Sequence, residues 1–261
     1  EAWRQAADVV RIGDTVTDKG ATAFEGAETW AECYSGGDLG ILALTFYDIN
    51  NNWIDSSATR YPKIYGAPGH RANHIKDDAA IPQGAFADIE NNGGAGNWAV
   101  RCKWLHVEGI RLRSKTNGRT LWSIDGRVNQ NWTPVFDGNT FQIRSNDGTH
   151  TTAIGFELGG DSGDRTASCI IRNNTIYGTS TAGDGLHVLM GIVPQVNAVA
   201  DGNILTATVD IQNNTILFST PYPGAVNQGG IDAANKGNSK LNCTLAIQGT
   251  VKNNIISVQP E

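Results

Sequence analysis

The sequence predicts an all-β protein wound as a β-solenoid, and three observations carry that prediction. First, four short strings read almost alike: Phe136-Asp-Gly-Asn139-Thr-Phe141, Ile171-Arg-Asn-Asn174-Thr-Ile176, Ile211-Gln-Asn-Asn214-Thr-Ile216 and Val251-Lys-Asn-Asn254-Ile-Ile256. Second, the columns Asn139, Asn174, Asn214 and Asn254 are separated by 35, 40 and 40 residues. Self-similarity at a long period marks stacked structural units. Third, each unit holds a second strand signal: Ser123-Ile-Asp-Gly, Gly155-Phe-Glu-Leu, Gly185-Leu-His-Val and Gly230-Ile-Asp-Ala. Several short strands in the same order in every unit, with no helix between them, describe a chain coiling round one axis.

The strings are too short for helices and are rich in Ile, Val, Phe and Thr, with Gly and Asn as punctuation. Apolar and polar residues alternate in Val209-Asp-Ile211-Gln and in Leu105-His-Val107-Glu, as in strands buried on one face. Leu105-His-Val107-Glu-Gly109-Ile-Arg-Leu112 is a fifth, weaker copy. The Asn column has a physical basis. Asn tolerates left-handed backbone angles and bonds to nearby backbone. Equivalent residues of successive coils lie one strand spacing apart, roughly 4.8 Å. Asn139, Asn174, Asn214 and Asn254 are therefore expected to form a ladder of amide hydrogen bonds.

The ends and corners follow. Trp3, Ala6, Ala7, Val9 and Val10 fall on a helical period, which predicts a short N-terminal capping helix over 1–12. Residues 1–97 are read as this cap plus irregular first coils, and 98–261 as the regular coils of one continuous domain. The added length of later coils is expected to leave as loops at Gly159–Ala167, Ile192–Asn203 and Pro221–Gly229. The string Ser257-Val-Gln-Pro-Glu261 follows a strand without an evident lid. Other copies of the chain, or a further capping domain, are expected to cover that end.

Charged residues make up only 18% of the chain, against 31 Gly. That balance suits an extracellular or virion-surface β protein better than a cytosolic helical enzyme. Net charge is −6, and no Lys/Arg cluster suggests a nucleic-acid surface. No apolar run has the length of a membrane span. Cys33, Cys102, Cys169 and Cys243 form no Cys-x-x-Cys pair and occupy unlike coil positions, so free thiols are expected.

From Trp98 to Val258, through the copies quoted above, the chain resembles the pectin-lyase-like right-handed parallel β-helix superfamily. The resemblance implies that fold. It leaves activity open, since such proteins include polysaccharide lyases, hydrolases, epimerases, phage tailspikes and adhesins. Thr29-Trp-Ala-Glu-Cys33-Tyr and Arg60-Tyr-Pro-Lys-Ile-Tyr-Gly-Ala-Pro-Gly-His70 look like the opening segment of phage and prophage members.

The sharpest chemical candidate lies in the second strand set. With Ile124, Phe156, Leu186 and Ile231 inward, the following residues Asp125, Glu157, His187 and Asp232 would form an outward column. Carboxylates one strand spacing apart raise each other's pKa, as acid/base work on a glycosidic bond requires. His187 could shuttle a proton. Arg127 and Lys236 could hold a sugar carboxylate, and Tyr222, on the stiff Pro221-Tyr-Pro223 turn, could stack on a sugar face. The opposing interpretation is that outward solenoid positions are polar anyway. His106, Asp210 and Arg172 also fall outward, with no pattern in the sequence. The paired-Asp and Gly-His-Gly strings of polygalacturonase-like hydrolases are missing from the repeats. So is the calcium-binding acid cluster typical of lyases with this fold. No cofactor is expected. Calcium has only the weak string Asp161-Ser-Gly-Asp164 in its favour. The preferred function is a structural or recognition β-helix, such as a phage virion decoration or fibre protein or an extracellular filament subunit, with surface polysaccharide as a candidate ligand. The alternative is a lyase or hydrolase acting on acidic polysaccharide.

Overall fold

The computed structural model describes residues 30–33, 58–59, 61, 63–72, 88–91, 104–114, 122–125, 133–145, 150–160, 164–180, 187–198, 201–220, 226–235 and 243–260. These residues form a parallel β-helix. The first strands are β1 (Trp30–Cys33), β2 (Lys63–Gly66) and β3 (Asp88–Asn91). The next coil holds β4 (Trp104–Glu108), β5 (Arg111–Ser114) and β6 (Trp122–Asp125). It is followed by β7 (Thr133–Asp137), β8 (Thr140–Ser145) and β9 (His150–Gly160), then by β10 (Arg165–Arg172), β11 (Thr175–Ser180) and β12 (His187–Ala198). The last two coils are β13 (Ile204–Gln212), β14 (Thr215–Thr220), β15 (Val226–Ile231) with the short β16 (Ala234–Asn235), and β17 (Thr244–Lys252) with β18 (Ile255–Pro260).

The strands stack into three sheets. The first has the order β1-β2-β4-β7-β10-β13-β17, the second β18-β14-β11-β8-β5-β3 and the third β15-β12-β9-β6. Neighbours pair in parallel, including across residue 98, so the early strands continue the later stack.

Alternation decides what each strand buries. In β4, Leu105 and Val107 are buried while Trp104, His106 and Glu108 face partly to solvent. In β13, Leu205, Ala207, Val209 and Ile211 are buried, and the residues between them are not. The inward columns make one core, including Val107, Phe136, Ile171 and Ile211 from the first sheet and Leu112, Phe141, Ile176 and Ile216 from the second. Residue sizes are matched along a column. Gly178 pairs with Ile143 below and Phe218 above. A Cβ on Gly178 would collide with the Phe218 ring, so the glycine makes the room that ring fills.

Between the first two sheets each coil from β4 onward makes the same two-residue corner. Its first residue is left-handed: Gly109, Gly138, Asn173, Asn213 and Asn253. Its second is the ladder residue. The sequence reading gave both properties to one Asn, but the structure divides them. The first residue turns the chain, where only Gly and Asn are at ease. The second is buried and bonded: Asn139, Asn174 and Asn214 are almost wholly removed from solvent.

The ladder runs in one direction. Asn139 Nδ2 donates to Asn174 Oδ1 at 3.1 Å, Asn174 Nδ2 to Asn214 Oδ1 at 3.0 Å, and Asn214 Nδ2 to Asn254 Oδ1 at 3.0 Å. The backbone N–H groups of Asn139, Asn174 and Asn214 donate to the same oxygens at 2.9, 3.0 and 2.9 Å. The remaining amide hydrogens reach back to the carbonyls of Val107, Phe136 and Ile171. In the weaker copy Ile110 takes the ladder position, and its N–H donates to Asn139 Oδ1 at 3.2 Å. An Asn amide has two donors and two acceptor lone pairs, and in the Asn174 and Asn214 rungs all four are used.

Two expectations about the corners change. The strands of the third sheet do not keep their size: β6 has 4 residues, β9 has 11 and β12 has 12. Much of the expected loops at Gly159–Ala167, Ile192–Asn203 and Pro221–Gly229 is strand instead. The physical reason is that β9 and β12 pair along their length, from His150↔Val188 to Gly160↔Ala198. A coil lying on another coil can satisfy its backbone there. The capping helix expected over 1–12 lies outside the described residues. Cys169 and Cys243 are free thiols. Cys169 is buried in the core, and burial raises its thiol pKa well above the ordinary value.

Replacing Asn174 by Ala removes one acceptor and two donors from a buried chain of bonds. Each orphaned buried partner costs about 1–3 kcal/mol, so Asn174→Ala should destabilise by roughly 3 kcal/mol or more. Asn254→Ala, at a half-buried rung, should cost clearly less. Denaturant unfolding of both variants checks the order, and equal losses would contradict it.

Candidate functional site

The third sheet places only part of the expected column together. Ile124 pairs with Phe156, and Asp125 with Glu157, as the sequence suggests. One coil further, Glu157 pairs with Gln195, and Gln195 with Ala234. His187 is at the opposite end of β12, where it pairs with Val226. Eight residues of extended chain separate it from Gln195, roughly 26 Å at the strand rise. It therefore does not stand between Glu157 and Asp232. Asp232 is also displaced. It follows Ile231, the partner of Ile192, and its N–H donates to Ile192 O at 2.9 Å. That puts it two residues before Ala234. The Gly-opened strings look alike but are not in register: Gly185-Leu-His-Val stands at the start of β12, whereas Gly155-Phe-Glu-Leu lies five residues inside β9. What remains is the adjacent pair Asp125 and Glu157.

Arg127, Lys236 and Tyr222 lie outside the described residues. So do Asp161, Ser162 and Gly163 of the calcium string. Asp164 Oδ1 accepts a hydrogen bond from the Ile204 N–H at 2.9 Å, tying one coil to the next. Among the described residues no group of three His, Cys, Asp or Glu side chains is placed to hold a metal ion.

The outward face of the first sheet carries a cluster that sequence reasoning missed. His106, Asp210 and Arg172 belong to it. Two rows cross the strands at strand spacing. One runs Lys63, His106, Val135, Ile170, Asp210 and Thr250; the other runs Tyr65, Glu108, Asp137, Arg172, Gln212 and Lys252. Register alone brings together residues far apart in sequence.

The first four strands of these rows are closely connected. Lys63 Nζ lies 2.5 Å from Glu108 Oε2, and Arg71 Nη2 lies 2.6 Å from Glu108 Oε1. Arg172 Nε donates to Asp137 Oδ2, and Asn173 Nδ2 to Asp137 Oδ1, both at 2.8 Å. Tyr61 stacks on His106 with ring centroids 3.9 Å apart and planes inclined by 21°. Lys63 Nζ also stands 5.1 Å from the centre of the Tyr65 ring. Gln212 Nε2 donates to Asp210 Oδ1. The Arg71 and Arg172 side chains are about half exposed, at 51% and 49%. Ion pairs that open contribute little to stability, about 0–1 kcal/mol each. Their effect is to set opposite charges side by side on this face.

The pKa of His106 lies below its ordinary value. Burial lowers its pKa first, and Lys63 and then Arg172 lower it further, against Glu108 and Asp137, which raise it. The sequence signal for this cluster was alternation, in Leu105-His-Val107-Glu and Val209-Asp-Ile211-Gln, which marked His106, Glu108 and Asp210 as outward. Comparison of the chain with known protein families, curated proteins and solved structures finds no match.

The stacked His106 should titrate below its ordinary value of 6.5. The unfolded chain then takes up the proton first. Stability should fall as pH drops through about 6.5 and level off below the folded-state pKa. NMR titration of the His106 ring protons checks this, with His106→Gln flattening that part of the stability curve. A midpoint at or above 6.5 would be the contrary result.

Proposed function

We propose that the chain is a structural and recognition β-helix of the pectin-lyase-like right-handed type, serving as a virion decoration or fibre protein or an extracellular filament subunit. The observation that supports this reading is the scaffold itself: three parallel sheets tied coil to coil by the Asn139, Asn174, Asn214 and Asn254 ladder, with polar and aromatic side chains repeating along the outward face of the first sheet. Val251, Ile255 and Ile256 are exposed apolar side chains, at 56%, 61% and 47%, and association between copies through them is part of the proposal. Surface polysaccharide is the ligand class this reading carries with it.

A second reading, polysaccharide lyase or hydrolase on acidic glycans, draws on the Asp125–Glu157 pair. Their backbones lie one strand spacing apart, roughly 4.8 Å. Two carboxylates brought within that distance of each other would hold one proton more tightly than the other. Arg127, Lys236 and Tyr222 would be the groups that hold the sugar.

Two measurements separate the readings. Light scattering over a concentration series should show association of the wild-type protein, weakened at least tenfold in Ile255→Asp. A monomer at every concentration that also binds no apolar dye would remove the structural reading. Incubation with uronate-rich glycans should release no product. Release that vanishes in Glu157→Gln would establish the second reading in its place.

A further inference from the structure

We propose that the outward face of the first sheet, around Tyr61, His106, Glu108, Asp137 and Arg172, is a binding platform for an uncharged polysaccharide. This rests on the recognition reading above and names its site and ligand class. Three observations lead to it.

The first is the ring step. Tyr61 and His106 stack nearly parallel beside the first sheet, and both are only half-buried. A pyranose presents a face of C–H groups, and an aromatic ring on a rigid support receives such a face well. Two stacked rings lose little conformational freedom on binding, so less of the contact energy is spent on ordering.

The second is the state of the charges. Glu108 is held from both oxygens by Lys63 and Arg71, and Asp137 is held from both by Arg172 and Asn173. The carboxylates still have lone pairs, and the half-exposed guanidinium groups still have N–H donors. Sugar hydroxyls need donors and acceptors side by side in fixed places, and these paired charges supply both. A polyanion would have to draw the cations away from their carboxylates, on a chain whose net charge is −6.

The third is the repeat. The row Tyr65, Glu108, Asp137, Arg172, Gln212, Lys252 places a polar or aromatic side chain at every strand. Its step of roughly 4.8 Å is near the length of one sugar unit in an extended chain. A linear glycan lying along the coil axis would meet one such group per unit.

The test uses the full chain and isothermal titration with mannohexaose, cellohexaose, chitohexaose and maltohexaose, with hexagalacturonate as the acidic comparison. Wild type is compared with Tyr61→Ala, Asp137→Asn and Glu157→Gln, each checked for an unchanged circular dichroism spectrum. The expected result is binding of at least one uncharged hexamer, weakened tenfold or more by Tyr61→Ala and by Asp137→Asn. Binding that Glu157→Gln abolishes and Tyr61→Ala leaves intact would overturn this site while keeping a glycan-recognition role for the chain. Preference for hexagalacturonate would overturn the ligand class. No binding of any hexamer would overturn the site, and would leave the assembly role to the scattering measurement. Arg172→Lys is a second variant should Asp137→Asn fail to fold. It keeps the charge but loses the Nε bond, and it should weaken binding in the same direction.

Discussion

The rest of the structure depends on the hydrogen bond from one Asn amide to the next. Each buried Asn is a polar group inside an apolar core, and leaving it unbonded would cost about 1–3 kcal/mol. The ladder removes that cost only when successive amides lie one strand spacing apart and in line. Asn139, Asn174, Asn214 and Asn254 meet this condition through Nδ2 to Oδ1 bonds of 3.0 to 3.1 Å. A slip of one residue would break both the side-chain and the backbone bond to the same oxygen. It would also turn Phe136, Ile171 and Ile211 out of the core, because strand faces alternate. Register on either side of the corner is therefore decided at the corner. The left-handed residue before each Asn completes the constraint, and Gly109 and Gly138 show that the turn needs only the backbone angle.

This explains which parts of the fold could be read from the chain. The ladder, the strands flanking it and the steps of 35 and 40 residues were legible, because the same residue types do the same work at each corner. The left-handed role of Asn173, Asn213 and Asn253 was merged with that of their neighbours, since both positions are Asn and only the backbone separates them. The third sheet was much less legible. Its strands lie far from the ladder, after corners of unequal length, so a string such as Gly185-Leu-His-Val can match Gly155-Phe-Glu-Leu in composition and miss it in register. Asp125 and Glu157 were aligned in register. His187 was not, because β12 opens well before the residue that pairs with Glu157. The cluster on the first sheet was hidden for another reason. Tyr61, Lys63 and Arg71 come from one coil, Glu108 and His106 from a second, Asp137 from a third and Arg172 from a fourth. No local pattern in the sequence announces a contact made across coils.

The same constraint gives the two outward faces different physical characters. Glu108, Asp137 and Arg172 each immediately precede a left-handed corner residue, Gly109, Gly138 and Asn173. Their backbones are positioned by the most tightly bonded part of the molecule, one residue from the turn and two from the ladder column. Asp137 is tied to the corner by side chain as well, through Asn173. Ion pairs that would be loosely held on an ordinary surface are set here at a repeat fixed by the core. Preorganisation of that kind favours binding, because groups already in place lose little freedom when a ligand arrives. The third sheet has the opposite character. Its strands change from 4 to 11 residues between the neighbouring β6 and β9, so successive coils present different lengths of chain to a ligand. A face whose register is inherited from the ladder suits recognition of a repeating polymer. A face whose strands vary from coil to coil suits a single local arrangement such as Asp125 beside Glu157. The Asn ladder thus separates the molecule into a periodic side and an irregular side, and the periodic side is the one whose geometry repeats at the spacing of a glycan chain.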